Sequence, residues 1–146
     1  MAWTAHLSYP GQCREAFSFY ARLFGGRLTM VAYGDTPMAK TVSADWADKI
    51  VHATLSLDGR ELAGSDVQPE HYRRPQGFSV LADVEGVEKA RRIFTALVEG
   101  GRVDMPMQAT FWAPAFGVLV DRYGIPWEIN ARHDPMGDPV YVKGSQ

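Results

Sequence analysis

The chain has 146 residues, 46% of them hydrophobic and 22% charged, so it can bury the core of one compact domain or of two small paired modules. Its 15 Lys and Arg residues and 17 Asp and Glu residues give a net charge of −2 with no basic run, which argues against nucleic acid and anionic membranes as partners. No apolar stretch approaches a membrane span and the N-terminus lacks a signal-peptide core, so we expect a soluble, cytoplasmic protein.

A strand and a helix are the first predicted elements. Residues 4–9 alternate in polarity, as in a strand, and place Thr4, His6 and Ser8 on one face. The segment CREAFSFYARLF then carries apolar residues at helical spacing and stops at a Gly-Gly pair. Glycine suits the left-handed backbone that ends many helices, and a strand is predicted to follow.

A hairpin closes the first half of the chain. In KIVHATLSLDGRELAGSD, His52, Thr54 and Ser56 alternate with apolar residues, and Asp58-Gly59 is a strong turn signal. The polar segment between Asp66 and Gln76 contains two prolines and is predicted to be a linker.

The second half repeats the first. The segment FTALVEGGRVDM (Phe94–Met105) aligns without a gap on FYARLFGGRLTM (Phe19–Met30). A strand is predicted at Gly77–Val84 before the second helix, and GVLVDRYGIPWEIN after it predicts a hairpin that turns at Asp121–Gly124.

Each half is therefore predicted to be a β-α-β-β-β module, over about residues 1–68 and 76–132, followed by a loosely held tail from His133 to Gln146. One helix covers only one face of a four-stranded sheet, so the other face is expected to line a cleft or to pack against the partner half. Aligning the two hairpins at their glycines places Ala63 opposite Glu128.

Three segments carry a family resemblance: SYPGQCREAFSFYARLFGG, IVHATLSLDGRELAGSD and TFWAPAFGVLVDRYGIPWEIN. Together they resemble the PhnB-like branch of the vicinal oxygen chelate superfamily, which includes glyoxalase I, extradiol dioxygenases and bleomycin-resistance proteins. The resemblance covers most of the chain. It implies an α+β fold in which two paired βαβββ modules form a cupped, mostly antiparallel eight-stranded sheet with helices outside.

The resemblance also implies where metal-using members hold their ligands, on the first and fourth strands of each module. Those positions fall near Thr4 or His6, at Ala63, near Phe78 or Ser79, and at Glu128. Only Glu128 and His6 offer metal-binding side chains among them. The residue types therefore favour a metal-free site over the standard four-ligand site, although a divalent metal remains an alternative.

Glu128 is the central candidate residue. Trp127 and Ile129 are assigned to the helix-facing core by alternation, so Glu128 and Asn130 should face the cup. The functional interpretation of Glu128 is a metal ligand or a catalytic general base. The structural interpretation is a carboxylate that hydrogen-bonds a neighbour or reaches water, and we favour a lone pocket acid.

Two histidines are candidates for the same pocket. His6 and His52 both lie on predicted cup faces, and imidazole serves as a metal ligand, an acid-base group or a plain hydrogen-bonding partner. With Glu128 they would form a two-histidine, one-carboxylate set of the kind that binds non-haem iron. Structural polar roles are the default alternative.

The remaining candidates are aromatic residues, Asp66 and the only cysteine. Phe111, Trp112 and Phe116 are interpreted either as the wall of a hydrophobic pocket or as core or dimer contacts. Asp66 is predicted to form a turn. Cys13 at a helix start could have a lowered pKa, but it has no identified base partner for a nucleophilic role.

Three functions compete at this point. The first is a metal-dependent lyase, isomerase or dioxygenase that uses His6, His52 and Glu128. The second, which the missing ligand residues favour, is a metal-free binding protein whose pocket includes His6, His52, Trp112 and Asn130. The third is an oligomerising scaffold. The resemblance further implies a homodimer and a small-molecule ligand. Although PhnB-like proteins are sometimes labelled demethylubiquinone methyltransferases, no glycine-rich adenosylmethionine loop supports that name here.

Overall fold

The structure, a computed structural model, describes residues 1–133, so the predicted tail beyond His133 lies outside the described residues. It contains two α-helices, eight strands and short 3₁₀ turns. In chain order the helices and strands are β1 (Ala5–Tyr9), α1 (Cys13–Phe24), β2 (Arg27–Ala32), β3 (Ile50–Leu57), β4 (Arg60–Asp66), β5 (Val80–Glu85), α2 (Val87–Val98), β6 (Arg102–Gln108), β7 (Ala115–Val120) and β8 (Pro126–Arg132).

The chain divides into two compact units, Met1–Arg74 and Pro75–Gln146, each of which contains one βαβββ module. The boundary lies inside the segment predicted as a linker, where Pro69–His71 forms a 3₁₀ turn.

The eight strands form two open four-stranded sheets with the same topology, β1-β4-β3-β2 and β5-β8-β7-β6. In each sheet the first strand runs parallel to the last strand of its module, and the other two pairings are antiparallel. The two βαβββ modules predicted from the repeat and the α+β class implied by the resemblance are confirmed.

Helix α1 covers one face of the first sheet through its buried residues Cys13, Ala16, Phe17 and Tyr20. The ring of Phe17 lies 6.1 Å from that of Tyr9, whose hydroxyl donates a hydrogen bond of 3.2 Å to the Tyr20 hydroxyl. Gly64 of β4 lies directly beneath Phe17, where an added Cβ would collide with the ring. Each buried aromatic side chain contributes roughly 2–3 kcal/mol of hydrophobic stabilisation, which fixes the helix on this face.

Helix α2 covers one face of the second sheet in the same way, through Ala90, Ile93, Phe94 and Leu97. On β8, Trp127, Ile129 and Ala131 are buried, whereas Glu128 and Asn130 between them are only half-buried. Successive side chains of a strand point to opposite faces, so Glu128 and Asn130 lie on the face that α2 does not cover.

Both predicted hairpin turns are confirmed. Asp58 and Gly59 connect β3 to β4 with φ angles of 50° and 76°, the left-handed pair that a two-residue hairpin needs. In the second module the Gly124 amide donates to the Asp121 carbonyl at 3.0 Å. Within the described residues, none of the helices has the length and apolar character that crossing a bilayer requires.

Candidate binding site

The candidate site lies on the face of the second sheet that α2 leaves open. Strand register places Leu81 of β5 and Val118 of β7 on either side of Glu128, and Asp83 and Phe116 on either side of Asn130. We define the acidic-aromatic face by six residues that meet there: Asp83, Phe111, Trp112, Phe116, Glu128 and Asn130.

Glu128 is held by a neutral partner. The Ser79 hydroxyl donates to Glu128 Oε2 at 2.9 Å from just before β5, while Leu81 and Val118 flank the carboxylate side chain. Among residues 1–133, no lysine, arginine or histidine forms an ion pair with Glu128. The resemblance placed a ligand position near Phe78 or Ser79, but the sequence did not identify Ser79 as the partner of Glu128.

Asn130 links a carboxylate to an aromatic side chain. Its amide nitrogen donates to Asp83 Oδ1 at 2.9 Å, and its carbonyl oxygen accepts from Trp112 Nε1 at 3.2 Å. This orientation of the amide follows from its partners, because the carboxylate only accepts and the indole N–H only donates. The predicted pocket residues Trp112 and Asn130 are therefore in direct contact.

The aromatic residues come from the loop between β6 and β7. Reciprocal hydrogen bonds between Thr110 and Ala113 tighten that loop, with Phe111 and Trp112 at its tip. The Trp112 ring is 4.8 Å from that of Phe111 and 5.1 Å from that of Phe116. Both contacts are edge-to-face, an arrangement that aromatic pairs favour. Phe116 is buried, but Phe111 and Trp112 are 75% and 46% exposed, so these two rings are available to a ligand.

The open face of the first sheet has different chemistry. His6 lies beside Ala63 in the register of β1 and β4, and His52 on β3 makes a 3.0 Å hydrogen bond with Thr54. Both histidines therefore lie on the face opposite α1, as predicted, but in the first unit, whereas Glu128 belongs to the second.

Buried carboxylates anchor both modules, and sequence reasoning missed this role. Asp66 is fully buried and accepts from the backbone amides of Gly11, Cys13 and Ile50 at 2.8–3.0 Å. The turn role predicted for Asp66 is wrong, because this side chain joins the start of α1 to the start of β3.

Asp121 is the buried carboxylate of the second module. It accepts from the amides of Tyr123 and Ile125 and, at 2.9 Å, from the indole of Trp127. An aspartate at the start of a turn commonly accepts a hydrogen bond from the backbone amide two residues later, so this local bond is predictable from the sequence. The hydrogen bond from the Trp127 indole is not indicated by any local sequence pattern.

Cys13 is a structural residue. It is fully buried, and burial, followed by the nearby Asp66 carboxylate, raises the pKa of the thiol. The lowered pKa considered for a helix-start cysteine is wrong, because the thiol is shielded from water and lies beside a negative charge.

A cavity of about 370 Å³ opens elsewhere, at the start of α1. Its cationic side chains are already engaged, since Lys49 Nζ donates to the Gly11 carbonyl and Arg14 to the Asp48 carbonyl. Asp66 at its base is saturated by the three amides described above. The two cations and the buried carboxylate of this cavity are therefore engaged within the protein.

The donor set does not fit the four-ligand metal site that the resemblance implied. Ala63 and Phe78 carry no donor atom, and the Ser79 hydroxyl is already bonded to Glu128. Within the part of the chain that the structure describes, no group of three or more His, Cys, Asp and Glu side chains is arranged to hold a metal ion. The smaller set of His6, His52 and Glu128 stays a prediction.

Comparisons with known proteins identify the family. The family described as 3-demethylubiquinone-9 3-methyltransferase matches residues 1–130. The protein YjdN from Escherichia coli strain K12 is 32% identical over 139 residues, which covers 89% of this chain and 95% of YjdN. The crystal structure of PA1353 from Pseudomonas aeruginosa is 41% identical with a TM-score of 0.83, and the match covers 92% of this chain and 99% of PA1353.

More distant structures share the fold. The PhnB protein from Bacillus cereus superposes with a TM-score of 0.74 at 24% identity, over 90% of this chain and 99% of that protein. A glyoxalase-related enzyme from Fulvimarina pelagi gives a TM-score of 0.63 at 18% identity, over 100% and 99%. The match over residues 1–130 and the identity to YjdN show that the chain belongs to the family described as 3-demethylubiquinone-9 3-methyltransferase.

Proposed function

We propose that this PhnB-like protein binds a small molecule on the acidic-aromatic face, without the standard four-ligand metal site. The observation that carries the proposal is the hydrogen bond from Trp112 to Asn130. It fixes an exposed aromatic loop against a sheet face that also presents Glu128 and Asp83. Small-molecule sites combine apolar walls with a few convergent polar groups in this way.

The exposure of the aromatic side chains supports the proposal further. Phe111, Trp112 and Leu81 are large apolar side chains that are 46–75% exposed, and all three belong to the second module. Apolar side chains grouped on a surface mark interaction sites more often than singly exposed residues do. Glu128 and Asn130 among them give a ligand hydrogen-bonding partners of fixed position.

Ligand binding is tested by replacing Trp112. A panel of small aromatic compounds is titrated into the wild-type protein, and affinities are measured by calorimetry. We expect Trp112→Ala to weaken binding about 10-fold or more, the scale of a lost aromatic contact with its hydrogen bond. Trp3→Ala is the matched control, because Trp3 is 93% exposed near the N-terminus of the other module.

Two outcomes would overturn this proposal. One is a compound that binds equally well to the wild-type protein and to Trp112→Ala. The other is a Trp112→Ala protein whose oligomeric state changes while no compound binds either form, which would favour the scaffold function instead.

The metal-dependent alternative rests on His6, His52 and Glu128. The shortage of donor side chains leads us to expect no stoichiometric metal in protein purified without chelator or metal-affinity resin, measured by elemental analysis. Stoichiometric zinc, nickel, iron or manganese that is lost in Glu128→Ala would favour the enzyme instead. The methyl transfer named in the family description is not part of the proposal, because the sequence has no glycine-rich loop of the kind that holds a nucleotide-like cofactor.

Two further expectations stay predictions. The homodimer is tested by light scattering coupled to size-exclusion chromatography, where a mass near twice 16.2 kDa is expected. The cytoplasmic location is tested by cell fractionation. Neither expectation is needed for the proposed site, since all six residues of the acidic-aromatic face belong to one module.

A further inference from the structure

We infer that the ligand of the acidic-aromatic face is an organic cation that carries its charge on or beside a planar aromatic ring. This inference rests on the proposed function and adds the chemical class of the ligand. It follows from the charges that the face leaves uncompensated and from the aromatic side chains next to them.

Two carboxylates on this face lack a cationic partner within residues 1–133. Asp83 is bonded to the neutral Asn130 amide, and Glu128 to the neutral Ser79 hydroxyl. Glu85, which lies beyond the face on the same side of β5, differs, because Arg132 forms an ion pair with it at 3.4 Å. A ligand that brings a positive charge therefore meets two acceptors that no described side chain neutralises.

The nearby cations of the second sheet are occupied. Arg132 pairs with Glu85, and Arg102 pairs with Asp104 at 2.7 Å. An anionic ligand would have to approach Asp83 and Glu128 without a free cation from either arginine, and like charges in proximity repel. The charge pattern therefore selects against anions as well as for cations.

The aromatic side chains lie within one ligand's length of these carboxylates. Glu128 and Asn130 are two residues apart on β8, which separates their backbones by about 7 Å along the strand. Asn130 contacts both Asp83 and Trp112, so the indole ring and the Asp83 carboxylate meet at this amide, and Glu128 lies two residues away on the same strand face. Tryptophan is the side chain that attracts cations most strongly through its ring face, and partial desolvation strengthens that attraction.

The first module lacks the carboxylate at the centre of this arrangement. Its position equivalent to Glu128 is Ala63, and the open-face neighbours of Ala63 are His6 and Thr54. One such site per chain is therefore expected.

The experiment compares three probes of the same shape and different charge: 2-naphthamidine, 2-naphthamide and 2-naphthoate. Calorimetric affinities are expected to fall in that order, with the amidine binding about 10-fold more tightly than the amide, as for a charge-assisted hydrogen bond in a partly desolvated site. Added salt should weaken binding of the amidine and leave binding of the amide nearly unchanged.

Variants separate the charge from the aromatic contact. Glu128→Gln keeps the shape of the side chain and is expected to reduce the amidine affinity to about that of the amide, while the amide affinity changes less than about 2-fold. Asp83→Asn should act in the same direction. Trp112→Ala should weaken both probes, and circular dichroism with thermal melting checks that each variant is folded.

The outcomes distinguish the inference from the proposed function. Equal affinity for amide and amidine, or tighter binding of the naphthoate, overturns the cation inference if binding still depends on Trp112, and leaves the proposed face in place. Binding that does not depend on Trp112, or no binding of any of the three probes, overturns both.

Discussion

The two modules of this chain share one topology but place different chemistry on equivalent surfaces. Both have the strand order first-fourth-third-second, and both bury one helix on one face. The open face around Ala63 carries small polar residues and two histidines, whereas the open face around Glu128 carries acids and exposed aromatic rings. The two modules therefore share one core architecture and differ in the chemistry of the face that their helices leave uncovered.

The buried carboxylates show a second difference. In the first module Asp66 ends β4 and binds the amide of Cys13 at the start of α1. In the second module Asp121 follows β7 and binds its own turn and Trp127 of β8. Each module therefore has one buried acid, but the first acid positions a helix and the second positions a hairpin.

Substitution of these two buried acids is expected to lower the stability of the protein more than the other proposed substitutions. Asp66→Ala and Asp121→Ala should each lower the free energy of unfolding by roughly 3–5 kcal/mol, because each leaves three donors, most of them buried, without an acceptor. Chemical denaturation measures the change. Asp35→Ala, at an exposed position, is the control and should stay within about 0.5 kcal/mol. A loss below about 1 kcal/mol for Asp66→Ala would contradict the anchoring role.

The glycines beneath the two helices test the packing of each core. Gly64→Ala and Gly117→Ala should each destabilise the protein by about 1–3 kcal/mol through overpacking. The larger loss is expected for Gly64→Ala, since the new methyl would meet the Phe17 ring and the Leu7 backbone, whereas the one at Gly117 would meet Phe94 and the flexible Met107.

Denaturation curves of both glycine variants measure this difference. Ser65→Ala, at a half-buried position on the open face of β4, is the control for the first module. An equal loss of stability in the two variants, or a larger loss for Gly117→Ala, would contradict the tighter packing described for α1 on its sheet.

The single thiol reports on the integrity of the first module. Burial and Asp66 raise the pKa of Cys13, so little thiolate is present at neutral pH. Alkylation of the native protein by iodoacetamide should therefore be slow and should accelerate on unfolding, as followed by mass spectrometry. Rapid modification of the native protein would mean that α1 opens readily from its sheet.

A smaller change sharpens the comparison of the two open faces. Ala63→Glu places a carboxylate in the first module at the position equivalent to Glu128. Because His6 and Thr54 flank Ala63 in its register and Trp112 belongs to the second module, we expect the number of bound aromatic cations per chain to stay unchanged. Calorimetric stoichiometry measures it, and a second bound equivalent would show that the carboxylate alone is sufficient.

Much of the fold was predictable because its signals are local. The Gly-Gly helix ends, the Asp58-Gly59 turn and the alternation around Glu128 each depend on a few adjacent residues. The internal repeat then supplied the module topology. The prediction for the strand that begins at Gly77 was less accurate, because β5 starts only at Val80.

The long-range contacts of the site were not predictable in the same way. The bond from Ser79 to Glu128 spans 49 residues, and that from Trp112 to Asn130 spans 18. Alternation showed which side chains share a face but not which of them meet. The burial of Asp66 was missed for the same reason, since its partners at Gly11, Cys13 and Ile50 are brought together only by the folded sheet.

The most direct test of the proposed site is a nuclear magnetic resonance titration of the full chain with 2-naphthamidine. The indole N–H signal of Trp112 and the side-chain amide signals of Asn130 should shift together and saturate, with further changes confined to the second module. Shifts that centre on His6 and His52, or on the cavity at the start of α1, while the Trp112 signal stays in place, would contradict binding on the acidic-aromatic face.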